Sequence, residues 1–306
     1  MNKKSNKKVI VILGPTASGK TKLAVKLASK FNGEIISADS RQVYVDMDIG
    51  TGKDLAEYIV KVQGTRYKVP YHLIDVVSPK SQFTVGVYQK LANIAIQDVI
   101  KRQKLPIICG GTAFYIQSIV DGIVLPPKTS SQLRQKLNKL TLKQLLVKLK
   151  KLDSASYRQI DKKNRRRVQR AVEVCLYTSE KFSSFGQKQK IDYEFLILGL
   201  TWPREVLKKR STKRLKVRLE KEGMINEVKR LHKQGVSWKR MDEFGLEYRW
   251  VSRYLQKKIT YDEMFEGLNN DINNFAKRQM TWFKKDKRIK WVKNYKSAKK
   301  LVKEFL

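Results

Sequence analysis

Short apolar runs rich in β-branched residues alternate with helical patterns in the first part of the chain. Four runs are candidate strands: KVIVIL (8–13), EIISA (34–38), HLIDVV (72–77) and PIICGG (106–111). Helical patterns are predicted over three segments: from about Gly19 to Phe31, over residues 84–103, and onward from Thr112. Alternation of this kind predicts an α/β fold in which a parallel sheet is flanked by helices through right-handed crossovers.

The pattern changes after LPPKTSS (125–131), where proline and serine interrupt the alternation. Residues 132–180 show helical patterns only, and FLILGLTW (195–202) then predicts that the sheet resumes. The remainder predicts helices over 203–221, 224–234, 245–257 and 261–286, a short strand RIKWV (288–292), and a last amphipathic helix. We therefore predict three regions: the first part of the core (1–127), a helical insertion (128–190), and a return to the core sheet with a helical, basic C-terminal region (191–306).

The charge balance is strongly basic. Among 306 residues, 66 Lys and Arg stand against 28 Asp and Glu, which gives a formal net charge of +38. Such an excess predicts a polyanionic partner, because each neutralised phosphate releases counterions. The alternative is a source organism whose proteins are generally rich in lysine. The basic residues are most frequent between residues 128 and 300.

Several protein classes are disfavoured by the rest of the composition. Cys109 and Cys175 lie in apolar runs, which indicates buried thiols and not a disulfide or metal site, and two His leave no Cys/His zinc site. The N-terminal MNKKSNKK is basic, but the apolar run that follows has only five residues, too few for a signal peptide. No run is long enough for a membrane span, so we expect a cytoplasmic protein without membrane association.

The stretch GPTASGKT completes the phosphate-loop pattern G-x-x-x-x-G-K-[ST] between a predicted strand and a predicted helix. Backbone amides of residues 15–20 are expected to wrap a phosphate at the helix N-terminus, with Lys20 adding a point charge and the Thr21 hydroxyl offered to Mg²⁺. The predicted diphosphate-binding residues are Gly14, Pro15, Thr16, Ala17, Ser18, Gly19, Lys20 and Thr21. The fold is thus expected to be a P-loop parallel sheet.

The loop alone does not identify the phosphate compound. A nucleoside triphosphatase should carry a second apolar strand that ends in a metal-binding acid. PIICGGT ends in glycines, and Asp75 of HLID is followed by no catalytic Glu. Asp39 follows the second strand at the edge where ligands bind in open α/β sheets. Its carboxylate is a candidate general base, and a helix cap formed by Asp39 or Ser40 is the equal alternative.

Six motifs occur in a fixed order: GPTASGKT, ISADSRQVYVDMDIGTGK, HLIDVVSP, ICGGTAFYI, RRVQRAVEV and AKRQMTWFKKDKRIKWV. In them the chain resembles the tRNA dimethylallyltransferase family, also called tRNA isopentenyltransferases, from about residue 8 to 292. The resemblance implies that the loop holds the diphosphate of dimethylallyl diphosphate and releases it. It also implies an acceptor: the exocyclic amine of the adenosine directly 3′ of the anticodon (position 37) in tRNAs that read codons beginning with U.

Roles follow from the resemblance at the matching positions. It makes Asp39 the general base and assigns Lys20 and Thr16 to catalysis, with Mg²⁺ near Thr21 as the cofactor. The helical insertion is expected to contact the anticodon stem-loop, and Thr112 and Arg134 fall on substrate-contact positions. The residues implied in tRNA binding are Asp39, Ser40, Arg41, Gln42, Thr112, Arg134, Arg166, Arg167, Val168, Gln169, Arg170, Phe244, Gly245, Leu246, Glu247, Tyr248 and Arg249.

Three places depart from the family's usual pattern. Glu247 precedes an aromatic residue where glycine is common, which puts the local backbone in question. Tyr71 replaces one member of a usual His pair, and Gly52 and Asp54 stand where Ala and Pro are common.

Helical periodicity and interleaved cations leave two segments with mixed interpretations. On a helix, Val168, Val172 and Cys175 can face a core while Arg166 and Arg170 face RNA. In FAKRQMTWFKK, the aromatic residues Trp282 and Phe283 are expected to pack onto the sheet. The cations Lys277, Arg278 and Lys284 are expected to contact RNA.

Three other functions stay open at this point. A prenyltransferase for free adenine nucleotides would share the loop and Asp39 but would not need the long basic C-terminal half. A small-molecule kinase would use the loop for ATP, and a non-catalytic RNA-binding protein would need neither the loop nor Asp39. We expect a monomer.

Overall fold

The computed structural model describes residues 7–62 and 64–306. The chain forms two compact units: a core unit of residues up to 116 and from 192 onward, and a helical unit of residues 117–191. The predicted insertion at 128–190 falls within the helical unit. None of the helices in the described ranges is both long and apolar enough to cross a membrane.

The core unit is built on a six-stranded, all-parallel sheet. Its strands are β1 (Lys7–Leu13), β2 (Gly33–Ala38), β5 (Tyr71–His72), β6 (Leu105–Gly110), β7 (Tyr193–Leu200) and β8 (Lys290–Val292). They lie in the order β5-β2-β6-β1-β7-β8, and an antiparallel hairpin, β3 (Ile59–Val62) with β4 (Thr65–Lys68), lies apart from the sheet. Every residue of β2 and β6 is buried, because both faces of a parallel sheet are covered by other elements. The predicted P-loop α/β fold is confirmed.

Two apolar cores involve helices of the core unit. These helices are α1 (Lys20–Lys30), α2 (Val85–Lys101), α8 (Arg204–Glu220), α9 (Met224–Lys233), α10 (Trp238–Phe244), α11 (Leu246–Leu255), α12 (Tyr261–Phe283) and α13 (Tyr295–Phe305), with α3 (Ala113–Val120) running into the helical unit. Apolar residues of α1 and α13 pack with β1, β6 and β7 in the sheet core. A second core joins α8 to α12 with Val43, Tyr44 and Met47, the segment that follows β2. The C-terminal helices therefore hold that segment beside the sheet.

The helical unit has its own small core. Its helices are α4 (Ser131–Asn138), α5 (Leu142–Leu152), α6 (Ser154–Gln159) and α7 (Arg165–Thr178). Leu145 and Leu149 of α5 pack against Val168 and Val172 of α7, and all four are fully buried. A capping box of Thr141 and Gln144 begins α5. The predicted apolar face of α7 is confirmed, and Cys109 and Cys175 are buried free thiols as expected.

One predicted strand and the predicted packing of one residue differ from the structure. The predicted strand HLIDVV (72–77) is shorter in the structure, where only Tyr71–His72 forms a strand. Leu73 and Asp75 adopt left-handed backbone conformations (φ 62° and 56°) that end the extended run. Phe283 is buried as predicted, but Trp282 is 45% exposed, so its packing prediction is wrong.

Candidate active site

The phosphate loop lies between β1 and α1 at the carboxyl edge of the sheet. Position 14 requires glycine, because a Cβ there would lie 2.3 Å from the carbonyl oxygen of Leu200. Ala17 and Gly19 adopt left-handed conformations (φ 60° and 88°) that wrap the loop. No described side chain caps the N-terminus of α1, so its first amides are directed at the space that a phosphate would fill.

Two side chains from distant parts of the sequence fix the loop. The backbone N–H of Thr16 donates to Oε1 of Gln279 at 3.0 Å, and Nε2 of Gln279 donates to the carbonyl of Gly111 at 2.7 Å. The indole N–H of Trp202 donates to the carbonyl of Ser18 at 2.9 Å. The loop is thus tied both to the end of β6 and to the segment that follows β7.

Asp39 lies in the loop that follows β2. Its Oδ1 accepts the backbone N–H of Arg41 at 2.8 Å and that of Gln42 at 3.4 Å. Asp39 therefore caps a turn, which bears out the capping interpretation in part, although the turn does not continue into a helix. The same carboxyl group lines the cavity, so capping and acid–base chemistry are both open to it.

Thr112 connects the ends of β2 and β6. Its N–H donates to the carbonyl of Ala38 at 3.1 Å, and its Oγ1 accepts the N–H of Ser40 at 3.0 Å. Gln42 accepts from Ser37 at 3.1 Å and donates to the carbonyl of Gly52 at 3.0 Å. The segment 39–42 is therefore held on both sides by hydrogen bonds.

A cavity of about 270 Å³ within the core unit collects these groups. Among the predicted residues, its lining includes Thr16, Lys20, Thr21, Asp39, Ser40, Arg41, Gln42, Thr112, Phe244, Gly245, Leu246, Glu247 and Tyr248. The structure therefore brings the phosphate loop, the segment after β2 and the start of α11 to one space. The remaining loop residues (Gly14, Pro15, Ala17, Ser18, Gly19) and Arg249 lie beside this lining and not in it.

The charges in the cavity are perturbed by burial. Burial lowers the pKa of Lys20 below its usual value, while the nearby carboxylate of Asp39 acts in the opposite direction. Burial also raises the pKa of the Cys109 thiol to about 12, so that thiol stays protonated at neutral pH. Cys109 is consequently an uncharged neighbour of Lys20.

Two cations of α8 that line the cavity were not predicted from the sequence. Arg214 forms an ion pair with Asp54 and donates to the carbonyl of Gly52 at 3.4 Å. Arg218 is 6% exposed, and its Nη1 lies 3.7 Å from Oε1 of Glu247. Their spacing of four residues places both on one face of α8, but so many other basic residues occur on this helix that the pair does not stand out in the sequence.

The departures from the family's pattern lie mostly around these arginines. A Cβ on Gly52 would lie 1.8 Å from Nη2 of Arg218, so alanine would not fit this arrangement. Asp54 pairs with Arg214. Glu247 lies in the first turn of α11, where the left-handed residues are Gly245 and Leu246, so the backbone there does not require glycine at position 247.

Tyr71 lies elsewhere, in the core unit. Its ring packs edge-on against Tyr58 with the ring centroids 4.8 Å apart. Its neighbour His72 bonds to Glu34 at 2.8 Å between Nε2 and Oε2. The replacement of one histidine is thus accommodated by aromatic packing.

In the helical unit, the predicted RNA-binding residues differ in exposure. Arg134 bonds to the buried Glu173 at 3.1 Å, and Arg170 donates to the carbonyl of Pro127 at 2.8 Å. Val168 and Gln169 are buried, the first in the apolar core, so their side chains are not presented to RNA. Arg166 and Arg167 are exposed, and contact of these two side chains with RNA stays a prediction.

Two family models and several curated proteins match this chain over nearly its whole length. A model described as IPP transferase matches residues 42–286, and one described as isopentenyl transferase matches residues 7–71. A tRNA dimethylallyltransferase 1 from Geotalea daltonii is 42% identical over 282 residues, which cover 92% of this chain and 87% of that protein. Another of the same name, from Syntrophus aciditrophicus, is 41% identical over 97% of this chain and 98% of its own length.

Solved structures share the fold. A full-length tRNA isopentenylpyrophosphate transferase from Bacillus halodurans matches with a TM-score of 0.69 and 32% identity, over 98% of this chain and 95% of that chain. A eukaryotic dimethylallyltransferase, in a structure described as acting on tRNA, matches with a TM-score of 0.74 and 28% identity, over 90% of this chain and 69% of that chain.

Proposed function

The chain belongs to the IPP transferase family, and from this premise we propose that it is a tRNA dimethylallyltransferase that uses dimethylallyl diphosphate. The acceptor is the exocyclic amine of the adenosine directly 3′ of the anticodon, in tRNAs that read codons beginning with U, and diphosphate is released. The observation that carries the proposal is the single cavity lined by both Lys20 of the phosphate loop and Asp39. This shared lining supports binding of a diphosphate close to a proton acceptor.

The phosphate loop would hold the leaving group. Charge grows on the diphosphate as its bond to the allyl carbon breaks, and preorganised donors stabilise that charge. The donors available are the amides at the start of α1, the ammonium of Lys20 and the hydroxyls of Thr16 and Thr21, with Arg214 on the same lining. Because these donors are fixed by the loop geometry and by Gln279, little reorganisation is needed when the charge develops.

Mg²⁺ would be held at this loop by one protein oxygen together with substrate phosphates. The described residues hold no cluster of three or more His, Cys, Asp or Glu side chains that would bind a metal by themselves. Mg²⁺ is commonly bound through one or two protein oxygens together with substrate phosphates, and the hydroxyl of Thr21 on the cavity lining offers such an oxygen. When bound there, the ion would neutralise part of the diphosphate charge.

Asp39 would act as the general base. The amine nitrogen attacks the allyl carbon, the carbon–oxygen bond breaks with its electron pair passing to the diphosphate, and the amine proton passes to the Asp39 carboxylate. The backbone bonds to Oδ1 orient this carboxylate in the cavity. Positioned bases of this kind contribute rate factors of about 10² to 10⁴.

The positive charge of the protein would bind the tRNA at its anticodon stem-loop. The net charge of +38 suits a polyanion, and Arg166 and Arg167 are exposed on α7 of the helical unit. We place the enzyme in the cytoplasm as a monomer.

Direct product analysis tests the proposal. The protein is incubated with total tRNA and dimethylallyl diphosphate, and the digested nucleosides are weighed by mass spectrometry. We expect an adenosine that carries one five-carbon group, no product from free adenine nucleotides, and no phosphoryl transfer from labelled ATP. Unmodified tRNA would contradict the proposal.

The Asp39→Asn variant tests the base. We expect transfer to fall by about 10² to 10⁴ while tRNA binding is retained, because the amide keeps the side-chain shape but cannot take the proton. Asp46→Asn, an exposed position in the same loop, is the matched control. Unchanged transfer by Asp39→Asn would remove Asp39 as the base.

A further inference from the structure

Arg218 has a buried donor that the proposed chemistry does not use. Its Nη2 is buried and has no hydrogen-bond partner within the part of the chain that the structure describes. The same side chain lines the cavity and is only 6% exposed. Buried guanidinium groups are normally fully paired, because removing charge and N–H donors from water is unfavourable.

The partner that Arg218 does have is distant. Its Nη1 lies 3.7 Å from Oε1 of Glu247, beyond normal hydrogen-bond range. Burial also raises the pKa of Glu247, which shifts that carboxyl group toward its neutral form. The charge of Arg218 is therefore only weakly compensated inside the protein.

Gly52 lets a second arginine approach the same point. A Cβ at this position would lie 1.8 Å from Nη2 of Arg218 and 2.4 Å from Nη2 of Arg214. The two guanidinium groups thus converge on a backbone that carries no side chain, and its left-handed conformation (φ 64°) also favours glycine. Of the two, Arg214 has a strong acidic partner in Asp54.

The other charges nearby do not cancel this excess. The carboxylates that act on Arg218 are Glu247, Asp54 and Glu222, while Arg214 acts in the opposite sense. Asp54 pairs with Arg214, and Glu247 lies 3.7 Å from Nη1 of Arg218, too far for a hydrogen bond. This corner of the cavity is complementary to an anion, and arginine's planar fork matches phosphate oxygens.

We propose that Arg218, together with Arg214 and the open backbone at Gly52, forms an anion subsite of the cavity that binds a phosphate oxygen of a substrate. The inference rests on the proposed function, which supplies two sources for such an oxygen: the diphosphate of the donor and the nucleotide phosphates of tRNA. The bound oxygen accepts the Nη2 hydrogen bond that the protein leaves unmade.

Binding measurements on the full chain separate the two sources. The variants are Arg218→Met, which keeps the length of the side chain, and the double variant Arg218→Met with Glu247→Gln, which leaves no unpaired carboxylate. Inorganic pyrophosphate is titrated calorimetrically, and total tRNA is measured by filter binding at fixed salt. At least a tenfold weakening of pyrophosphate alone assigns the subsite to the donor, and the same weakening of tRNA alone assigns it to a nucleotide phosphate.

Glycine substitutions test the same subsite independently of the Arg218 variants. Gly52→Ala should weaken the same probe at least tenfold, because the added methyl group displaces both guanidinium groups. Gly64→Ala is the matched control, since Gly64 is also left-handed (φ 83°) but has open space around it. Circular dichroism checks that each variant is folded.

Binding of both probes by the folded double variant within twofold of wild type would overturn the inference. These readouts need no prenyl transfer. The proposed function could therefore fail in the nucleoside assay while the subsite is confirmed, or stand while the subsite is refuted.

Discussion

At the scale of single residues, Lys20 combines burial with a function that needs its charge. Burial lowers its pKa from the ordinary lysine value, whereas a bound diphosphate favours the protonated form. The protonated form prevails below the pKa. Affinity for a diphosphate should therefore be lost as pH rises through a pKa below that of an exposed lysine.

We predict that the affinity for pyrophosphate declines as pH rises toward the usual lysine pKa of about 10.4, because the pKa of the buried Lys20 lies below that value. Lys20→Met should bind weakly and lose most of this dependence. The exposed neighbour Lys22→Met is the control and should keep the wild-type profile. Calorimetric titration at several pH values measures the effect, and an unchanged profile in Lys20→Met would count against Lys20 as the titrating group.

The residues of the site differ in how far sequence could predict them. Lys20, Thr21 and Asp39 belong to short contiguous motifs beside recognisable strands, so their place on the cavity followed from local pattern. Gln279 contacts Thr16 across 263 positions of sequence. No local pattern encodes that contact, because it depends on how α12 packs against the sheet.

At the scale of elements, burial decided which strands were predictable. β1, β2 and β6 are continuous apolar runs because both of their faces are covered. The hairpin of β3 and β4 was missed, since residues 65–68 are polar and exposed and carry no alternation. The short helix α10 was also missed, although Ser237 caps its start.

Glu34 links three elements through charge. It is 2% exposed on β2, and its carboxylate bonds to Arg102 at the end of α2, to Lys104 at 2.8 Å and to His72 at 2.8 Å. The hydrogen bond from Arg102 is the main reason that the pKa of Glu34 is well below its usual range. A lowered pKa contributes stability above the unfolded pKa, and this contribution is lost as pH falls through the folded pKa.

We predict that Glu34→Gln lowers the free energy of unfolding at neutral pH by about 2 kcal/mol, because the cations Arg102 and Lys104 lose their anionic acceptor. The difference from wild type should shrink as the solution is acidified below the usual glutamate pKa. Asp98→Asn, which removes an exposed partner of Arg102, should cost clearly less, because water screens an exposed ion pair. Urea denaturation at several pH values gives the comparison, and equal losses in both variants would contradict this account.

At the scale of the whole molecule, the net charge of +38 separates two explanations. If it serves RNA binding, counterion release makes affinity depend steeply on salt. If it only reflects a lysine-rich composition, binding should respond weakly. The fold itself does not distinguish them, since both place cations on the surface.

We predict that the affinity for tRNA falls by about 10³ or more between about 50 and 200 mM salt, as expected for six or more phosphate contacts. The logarithm of the binding constant should fall linearly with the logarithm of salt concentration. The double variant Arg166→Gln with Arg167→Gln should reduce the slope, because both side chains are exposed on α7. A change of less than about twofold over this range would favour the compositional explanation.

The position of Gln279 has a consequence for how the two substrates interact. Its carboxamide joins Thr16 of the phosphate loop to Gly111, and the adjacent Thr112 holds Ser40 beside Asp39. We therefore expect ordering of the loop by the donor to affect the acceptor side through the side chain of Gln279. By thermodynamic reciprocity, the factor by which the donor changes the affinity for tRNA equals the factor by which tRNA changes the affinity for the donor.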